Sequence, residues 1–153
     1  MNNINFRAVE PSDCDILFKW INDPLTRKNS YNSNEINYNE HVAWFNKNIS
    51  KNWFIFYTIE NSPIGVVRFD CKNDEWIIGI SIDSNHRGKG YAMQMIKLAV
   101  EKFIDNSSVK RITAYIKEEN ISSKRAFRNA GFCYDSLVFI DNQLSYKMIY
   151  LKN

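Results

Sequence analysis

The chain has 153 residues, of which 44% are hydrophobic and 24% are charged, and its formal net charge is +3 at pH 7. These values are typical of one globular domain with a sizeable core, spanning residues 1–153, and the charge is too small to indicate a nucleic-acid partner. No apolar run is long enough to span a bilayer, and the N-terminus lacks a signal-peptide pattern, so we expect a cytoplasmic protein with no membrane partner. The three cysteines, Cys14, Cys71 and Cys133, lie far apart, which favours neither a disulfide framework nor a metal site.

The first half of the chain has the patterns of a strand, two helices and three further strands, in that order. Residues 3–9 alternate apolar and polar side chains, as in a half-buried strand, and Ser12 or Asp13 is a candidate N-cap for a first helix. A polar stretch follows, for which we predict neither helix nor strand, and then a second helix over 39–49. Strands are predicted at 53–59, 64–70 and 75–83.

The second half predicts strands that alternate with helices. A long amphipathic helix follows the basic loop at 84–90, and a strand is predicted at 111–117. A short helix at 121–130 ends at Gly131, and two closing strands cover 131–140 and 144–151. This order indicates a mixed α/β plan with one parallel crossover near its centre.

The loop "SNHRGKGYA" between the third predicted strand and the long helix has the chemistry of an anion site. The first amides of a helix lack intrahelical partners and lie at the positive end of its dipole. Gly88 and Gly90 have no Cβ to block an approaching anion, while Arg87 and Lys89 add positive charge. We therefore expect this loop to bind a phosphate or a diphosphate.

The spacing within the loop separates it from two common phosphate-binding patterns. A P-loop requires Ser or Thr where Gly90 stands, and a dinucleotide fingerprint requires glycine where Met93 stands. The pattern Arg87-x-x-Gly90-x-Ala92 instead resembles the acetyl-CoA pyrophosphate loop of the GCN5-related N-acetyltransferases (GNAT).

A second block downstream carries the same resemblance. In "NISSKRAFRNAGF", Asn120 follows a strand, Ser123 begins a helix, and Gly131-Phe132 opens the next strand, in the order that the GNAT family uses. The resemblance implies the α/β (α+β) GNAT fold: a mixed, mostly antiparallel sheet of six or seven strands, about four helices and a splayed central strand pair.

The resemblance also implies acetyl-CoA as cosubstrate, no metal, and direct transfer of the acetyl group to an amine. It implies that the pantetheine arm pairs with the backbone around Ile80 and Ile82, and that Asn120 and Ser123 contact its end or relay a proton through water. The diphosphate would rest on the loop residues Arg87, Gly88, Lys89, Gly90, Tyr91 and Ala92.

Two positions depart from the family pattern. The family's general acid, which protonates the CoA thiolate, and its general base, which deprotonates the amine, therefore cannot be assigned to residues of this chain. The usual Tyr is Phe127 here, and the position of the usual Glu, counted back from Arg87, is Ile77; Glu75 is nearby but in another register. The catalytic candidates that remain are Asn120, Ser123 and Ser81.

The N-terminal third is expected to bind the acceptor. Its W-x-N-D…R…S…I…H-x-x-W spacing resembles the UDP-4-amino-sugar N-acetyltransferases of the pseudaminic acid and nonulosonate pathways, which implies a small-molecule amine on a sugar nucleotide as partner. Candidate substrate contacts are Arg27, His41, Trp44 and Tyr115. A protein N-terminus, a polyamine or an aminoglycoside remains an alternative acceptor, as does a non-catalytic acetyl-CoA-binding module, and the protein is expected to be a monomer or a homodimer.

Overall fold

The computed structural model describes residues 3–49 and 52–153, which form seven strands and five α-helices. The strands are β1 (Ile4–Ala8), β2 (Trp53–Thr58), β3 (Pro63–Lys72), β4 (Glu75–Ile82), β5 (Arg111–Lys117), β6 (Cys133–Ile140) and β7 (Gln143–Leu151). The helices are α1 (Cys14–Ile21), α2 (Pro24–Asn29), α3 (Tyr38–Asn48), α4 (Tyr91–Asp105) and α5 (Ile121–Asn129). Short 3-10 turns at Pro11–Asp13 and Ser84–His86 precede α1 and the α4 loop.

The strands form one sheet in the order β1-β2-β3-β4-β5-β7-β6. Neighbouring strands are antiparallel except β4 and β5, which are parallel and are joined by α4. The β4–β5 ladder has a single residue pair, Ile77 with Thr113, so the strands separate toward their carboxyl ends. This confirms the mixed, mostly antiparallel sheet and its splayed central pair.

Helix α2 is an addition to the predicted elements, since its residues were described from the sequence only as a polar stretch. Asp23 caps the helix by accepting hydrogen bonds from the amides of Leu25 and Thr26, and Pro24 occupies its first turn. The helix has only six residues and no buried side chain, so the periodicity of apolar residues carried no sign of it. The remaining elements begin and end within a few residues of the predicted bounds.

Two apolar clusters pack on the opposite faces of the sheet. Alternate residues of β2 point to different clusters: Phe54 and Phe56 join α4 and α5, whereas Trp53 and Ile55 join α1 and α3. The side of the β4–β5 gap that faces α1, α2 and α3 is therefore separated from the side covered by α4. None of the helices within 3–49 and 52–153 is both long and apolar enough to cross a membrane.

Candidate active site

A cavity of about 810 Å³ opens where β4 and β5 diverge. Its walls are residues 78–82 of β4, the Tyr115–Lys117 end of β5, the first turns of α4 and α5, and residues of α2 with the segment that follows it. The fold thus brings the glycine loop, the α5 block and part of the expected acceptor region to one place.

The start of α4 has the features of an anion cradle. Gly88 and Gly90 have φ values of 75° and 79°, and a Cβ placed on either would meet no atom within 4 Å. Gly90 is the N-cap of α4, no side chain caps the helix, and no acidic residue lies in its first turn. Tyr91 and Ala92 also line the cavity, whereas Lys89 is exposed and does not. Open amides at the positive end of a 15-residue helix fit a diphosphate.

Arg87 ties the glycine loop to α2. Its Nη2 donates to Asp23 Oδ2 at 2.6 Å and to Thr26 Oγ1 at 3.3 Å, and its side chain also lines the cavity. Burial acts to raise the pKa of Asp23, but the hydrogen bonds from Arg87 and from the α2 amides outweigh it and hold that pKa below its usual range. The same carboxylate thus caps α2 and positions Arg87.

The gap between the strands has a backbone wall on one side and polar side chains on the other. Ile80, Ser81 and Ile82 line the cavity beyond the single β4–β5 pair, so β5 does not pair with this part of β4. Tyr115 and Lys117 face them from β5. A strand edge left open in this way accepts an extended ligand that carries amide groups.

The first turn of α5 closes another side of the cavity. Asn120 Oδ1 accepts hydrogen bonds from the Ser123 amide and the Ser122 hydroxyl, both at 3.3 Å, so the Asn120 side chain caps the helix. Asn120 and Ser123 both line the cavity. Phe127 is buried edge-on against Phe132, with ring centroids 5.1 Å apart, and has no hydroxyl group to donate a proton.

A carboxylate–phenol pair lies at the β4–β5 junction, and the sequence analysis did not assign it. Tyr115 Oη donates to Glu75 Oε1 at 2.6 Å, and Thr113 Oγ1 donates to Glu75 Oε2 at 3.1 Å. Burial and Glu75 together raise the pKa of Tyr115 to about 12, so the phenol stays protonated at neutral pH. Glu75 precedes Ile77 by two residues in β4 and therefore shares its face of the strand, which corrects the expectation that Glu75 is in another register.

His41 and Trp44 do not reach the cavity, which corrects their expected role as substrate contacts. His41 is 1% exposed, and its Nε2 lies 2.9 Å from the Cys14 carbonyl oxygen, to which it donates. The Trp44 ring packs on Trp53 with centroids 5.1 Å apart. Their spacing correctly placed them within one turn of α3, but that face of α3 packs on α1 and on the sheet rather than facing the cavity.

Arg68 is a cavity residue that the sequence analysis missed. Its guanidinium carbon lies 5.3 Å from the Trp44 ring centroid and 5.6 Å from that of Trp53, and the side chain packs against Gly79. Arg27, which was expected to contact the acceptor, also lines the cavity. The available signal for Arg68 was a lone cation within the otherwise apolar run "IGVVRF".

One family model and two known proteins match this chain in sequence. A family model described as "Acetyltransferase (GNAT) domain" matches residues 3–133. An SPbeta prophage-derived uncharacterized N-acetyltransferase of Bacillus subtilis, YokL, is 25% identical over 135 residues, which cover 85% of this chain and 76% of that protein. An uncharacterized protein of Methanocaldococcus jannaschii is 27% identical over 139 residues, but the match spans only 28% of that longer protein.

Solved structures share the fold at low sequence identity. Spermidine N-acetyltransferase from Vibrio cholerae, in complex with CoA and spermine, superposes with a TM-score of 0.84 at 20% identity, covering 97% of this chain and 95% of that one. AAC(6')-Ib in complex with paromomycin and acetyl-CoA gives a TM-score of 0.80 at 16% identity, covering 98% and 94%. With the family model matched over most of its length, the chain belongs to the GNAT family of acetyl-CoA-dependent N-acetyltransferases.

Proposed function

We propose that the protein transfers the acetyl group of acetyl-CoA to the primary amine of a small molecule, by direct attack in a ternary complex. The observation that carries this proposal is the continuity of one cavity. This cavity joins the start of α4, which has no side-chain cap, to the open edge of β4. It also reaches Tyr115, which is hydrogen-bonded to Glu75. A donor and an acceptor bound there would meet in the gap between β4 and β5.

The donor side is built from backbone groups. Acetyl-CoA supplies the activated acetyl group as a thioester, and the amides from Gly88 to Ala92 hold its diphosphate. The edge of β4 from Ile80 to Ile82 pairs with the pantetheine amides, and Asn120 with Ser123 contacts the end of that arm. A backbone N–H near Ile80 that donates to the developing oxyanion is worth about 3 kcal/mol.

Glu75 and Tyr115 provide a route for the amine proton. As the amine nitrogen bonds to the acetyl carbon, its proton passes to Tyr115 Oη while the phenol proton passes to Glu75 Oε1, so Tyr115 ends the step neutral. The existing 2.6 Å hydrogen bond orients the phenol for this transfer. The C–S bond of the tetrahedral intermediate then breaks, and CoA leaves as a thiolate that takes a proton from solvent. Ser81, in the cavity wall of β4, offers a hydroxyl to the amine.

For the acceptor we propose an amine on a sugar nucleotide. The opening motif resembles enzymes of that class, and Arg27 from that motif lies in the cavity. A polyamine or an aminoglycoside is the second candidate, since the structural neighbours were solved with spermine and with paromomycin. The charge of the cavity favours the first, because its described lining holds the cationic side chains of Arg27, Arg68, Arg87, Lys117 and Arg125 and no carboxylate.

Binding of acetyl-CoA tests the donor half of the proposal. Gly90→Val should abolish acetyl-CoA binding in calorimetry, because the branched side chain fills the cradle and also strains a residue at φ 79°. Gly131→Ala is a matched control, since Gly131 also has a positive φ, of 108°, but lies outside the cavity lining. Unchanged acetyl-CoA binding by Gly90→Val, with the fold retained, would refute the cradle.

Release of CoA with a panel of amines tests the transfer itself. The panel contains UDP-amino-sugars, polyamines, aminoglycosides and peptides, and the measured quantity is free thiol. Amine-dependent release supports the enzyme. A chain that binds acetyl-CoA and releases no CoA with any of them would instead be a binding module.

A further inference from the structure

Arg68 is a cation without an anionic partner in the acceptor side of the cavity. Its guanidinium contacts two tryptophan rings, and within the described residues no hydrogen bond or ion pair joins it to another side chain. Burial lowers its pKa, the nearby charge of Asp70 opposes that effect without forming an ion pair, and the charge of Arg27 adds to it. A half-buried guanidinium held beside another cation is an unfavourable arrangement for the free protein.

Two further cations share this side of the cavity. Arg27 Nη1 donates to the carbonyl oxygens of Asn32 at 2.9 Å and Asn34 at 3.2 Å, and its Nε is buried without a partner. Lys117 is 6% exposed and donates to the Lys28 carbonyl oxygen at 2.9 Å. Neither makes an ion pair with a carboxylate in the described part of the chain. We call Arg27, Arg68 and Lys117 the cationic wall.

The cationic wall is separate from the diphosphate cradle. Arg68 lies opposite Gly79 in the β3–β4 ladder, three residues before the end of β4, which corresponds to about 10 Å of strand. Its tryptophan contacts involve Trp53, which belongs to the cluster under α1 and α3, while α4 packs on the other face of the sheet. Because the amides at the start of α4 bind the phosphates of acetyl-CoA in the proposed function, the cationic wall is available to the acceptor amine.

We propose that the cationic wall binds an anionic group, a phosphate or a carboxylate, carried by the acceptor amine, and so selects anionic amines over neutral and polycationic ones. This inference rests on the proposed acetyltransferase function. A phosphate or carboxylate would supply acceptors for the free guanidinium donors of Arg68 and for Arg27 Nε, and guanidinium groups bind both anions in a planar, two-point geometry. A polyamine would instead place further positive charge beside three cations.

Matched pairs of amines that differ by one anion test the inference. The pairs are glucosamine with glucosamine 6-phosphate, an amino acid amide with its free acid, and a 4-amino-sugar with its UDP-linked form. Spermidine and paromomycin are tested beside them as polycationic amines. With the wild-type protein we expect kcat/KM to be about 10- to 100-fold higher for the anionic member of at least one pair, and higher for that amine than for either polycation. The pair that shows the effect identifies whether the anion is a phosphate, a carboxylate or a nucleotide diphosphate.

Variants of the wall show whether Arg68 causes the preference. Arg68→Met keeps a long apolar stem against the tryptophans, and it should reduce the preference to about twofold or less while leaving the KM for acetyl-CoA unchanged. Arg128→Gln, an exposed position on α5 outside the cavity lining, removes the same charge and should leave the preference intact. Thermal shifts measured with the preferred anionic amine should be smaller for Arg68→Met than for the wild type, which reports binding independently of turnover.

Three results would overturn the inference. They are faster acetylation of spermidine or paromomycin than of every anionic amine, an undiminished preference in Arg68→Met, and acetylation of neutral amines with no acetylation of any anionic amine. Failure of the wild-type protein to bind acetyl-CoA, or to acetylate any amine at all, would instead overturn the proposed function, so the two failures are distinguishable.

Discussion

At the scale of single residues, Glu75 and Tyr115 are the pair on which the proposed proton transfer depends. The hydrogen bond between them crosses from β4 to β5 near the one residue pair that joins these strands. Lys147 Nζ lies 3.7 Å from Glu75 Oε2, so the carboxylate also contacts β7.

We expect Glu75→Gln to lower kcat by about 100-fold or more at pH 7 with little change in either KM, because the amide cannot take up the proton. Tyr115→Phe should lower kcat similarly, and the double variant should be no worse than the more impaired single one, because the two side chains act as a unit. Glu101→Gln, exposed on α4, is the control. A loss confined to KM would assign Glu75 to binding instead of proton transfer.

Some residues of the site could be located from the sequence and others could not. The glycine loop and the α5 block were located correctly because glycine at positive φ and a helix-capping Asn follow from local backbone requirements. His41 and Trp44 were misassigned because helical spacing says which side chains share a face, but not which layer that face packs against. Arg68 was missed because its importance arises from neighbours far along the chain.

At the scale of elements, α2 links the two proposed substrate regions. Its cap residue Asp23 bonds Arg87 of the donor loop, and its last turn carries Arg27 of the cationic wall. A six-residue helix with no buried side chain depends on such contacts for its position. Movement of α2 would therefore alter both ends of the cavity together.

We expect Asp23→Ala to raise the KM for acetyl-CoA and the KM for the acceptor, each by about 3- to 10-fold, because it removes both the helix cap and the partner of Arg87. Steady-state kinetics with each substrate varied in turn measures the two constants. Lys28→Gln, which changes an exposed side chain on the same helix, should leave both unchanged. If only the acetyl-CoA constant rises, α2 does not couple the two regions.

At the scale of the whole molecule, the single parallel crossover was predicted from the order of the elements, and the splayed β4–β5 pair was implied by the GNAT resemblance of the two motif blocks on either side of β5. The packing of the N-terminal helices was not predictable from the sequence, because the contacts that position them are hydrogen bonds between residues far apart along the chain. Buried Trp20 of α1 donates to Asp83 at the end of β4 at 2.9 Å, and Arg7 of β1 donates to both carboxylate oxygens of Asp13 at 2.8 and 2.9 Å. The periodicity of apolar residues along the sequence does not indicate which distant polar residues pair.

These bonds make three aspartates responsible for stability toward acid. Burial acts to raise the pKa of Asp13, Asp23 and Asp83, but hydrogen bonds outweigh it in each case and the net pKa is lowered. For Asp83 the donors are Trp20, His86 and the Asn85 amide. A lowered folded-state pKa means stabilisation that is fully present above the unfolded pKa of about 3.9 and is lost as the pH falls through the folded value.

We therefore expect the free energy of unfolding, from urea titrations, to change little through these carboxylates between pH 7 and pH 5 and to fall below about pH 4. Asp83→Asn should be less stable than the wild type by about 1–3 kcal/mol at pH 7, because buried donors lose a charged acceptor, and the difference should narrow as the wild-type carboxylate is protonated. Asp105→Asn, at an exposed position, should parallel the wild type throughout. A difference between Asp83→Asn and wild type that stays constant down to pH 3 would mean that packing, and not the carboxylate charge, stabilises the junction of β4 with α1.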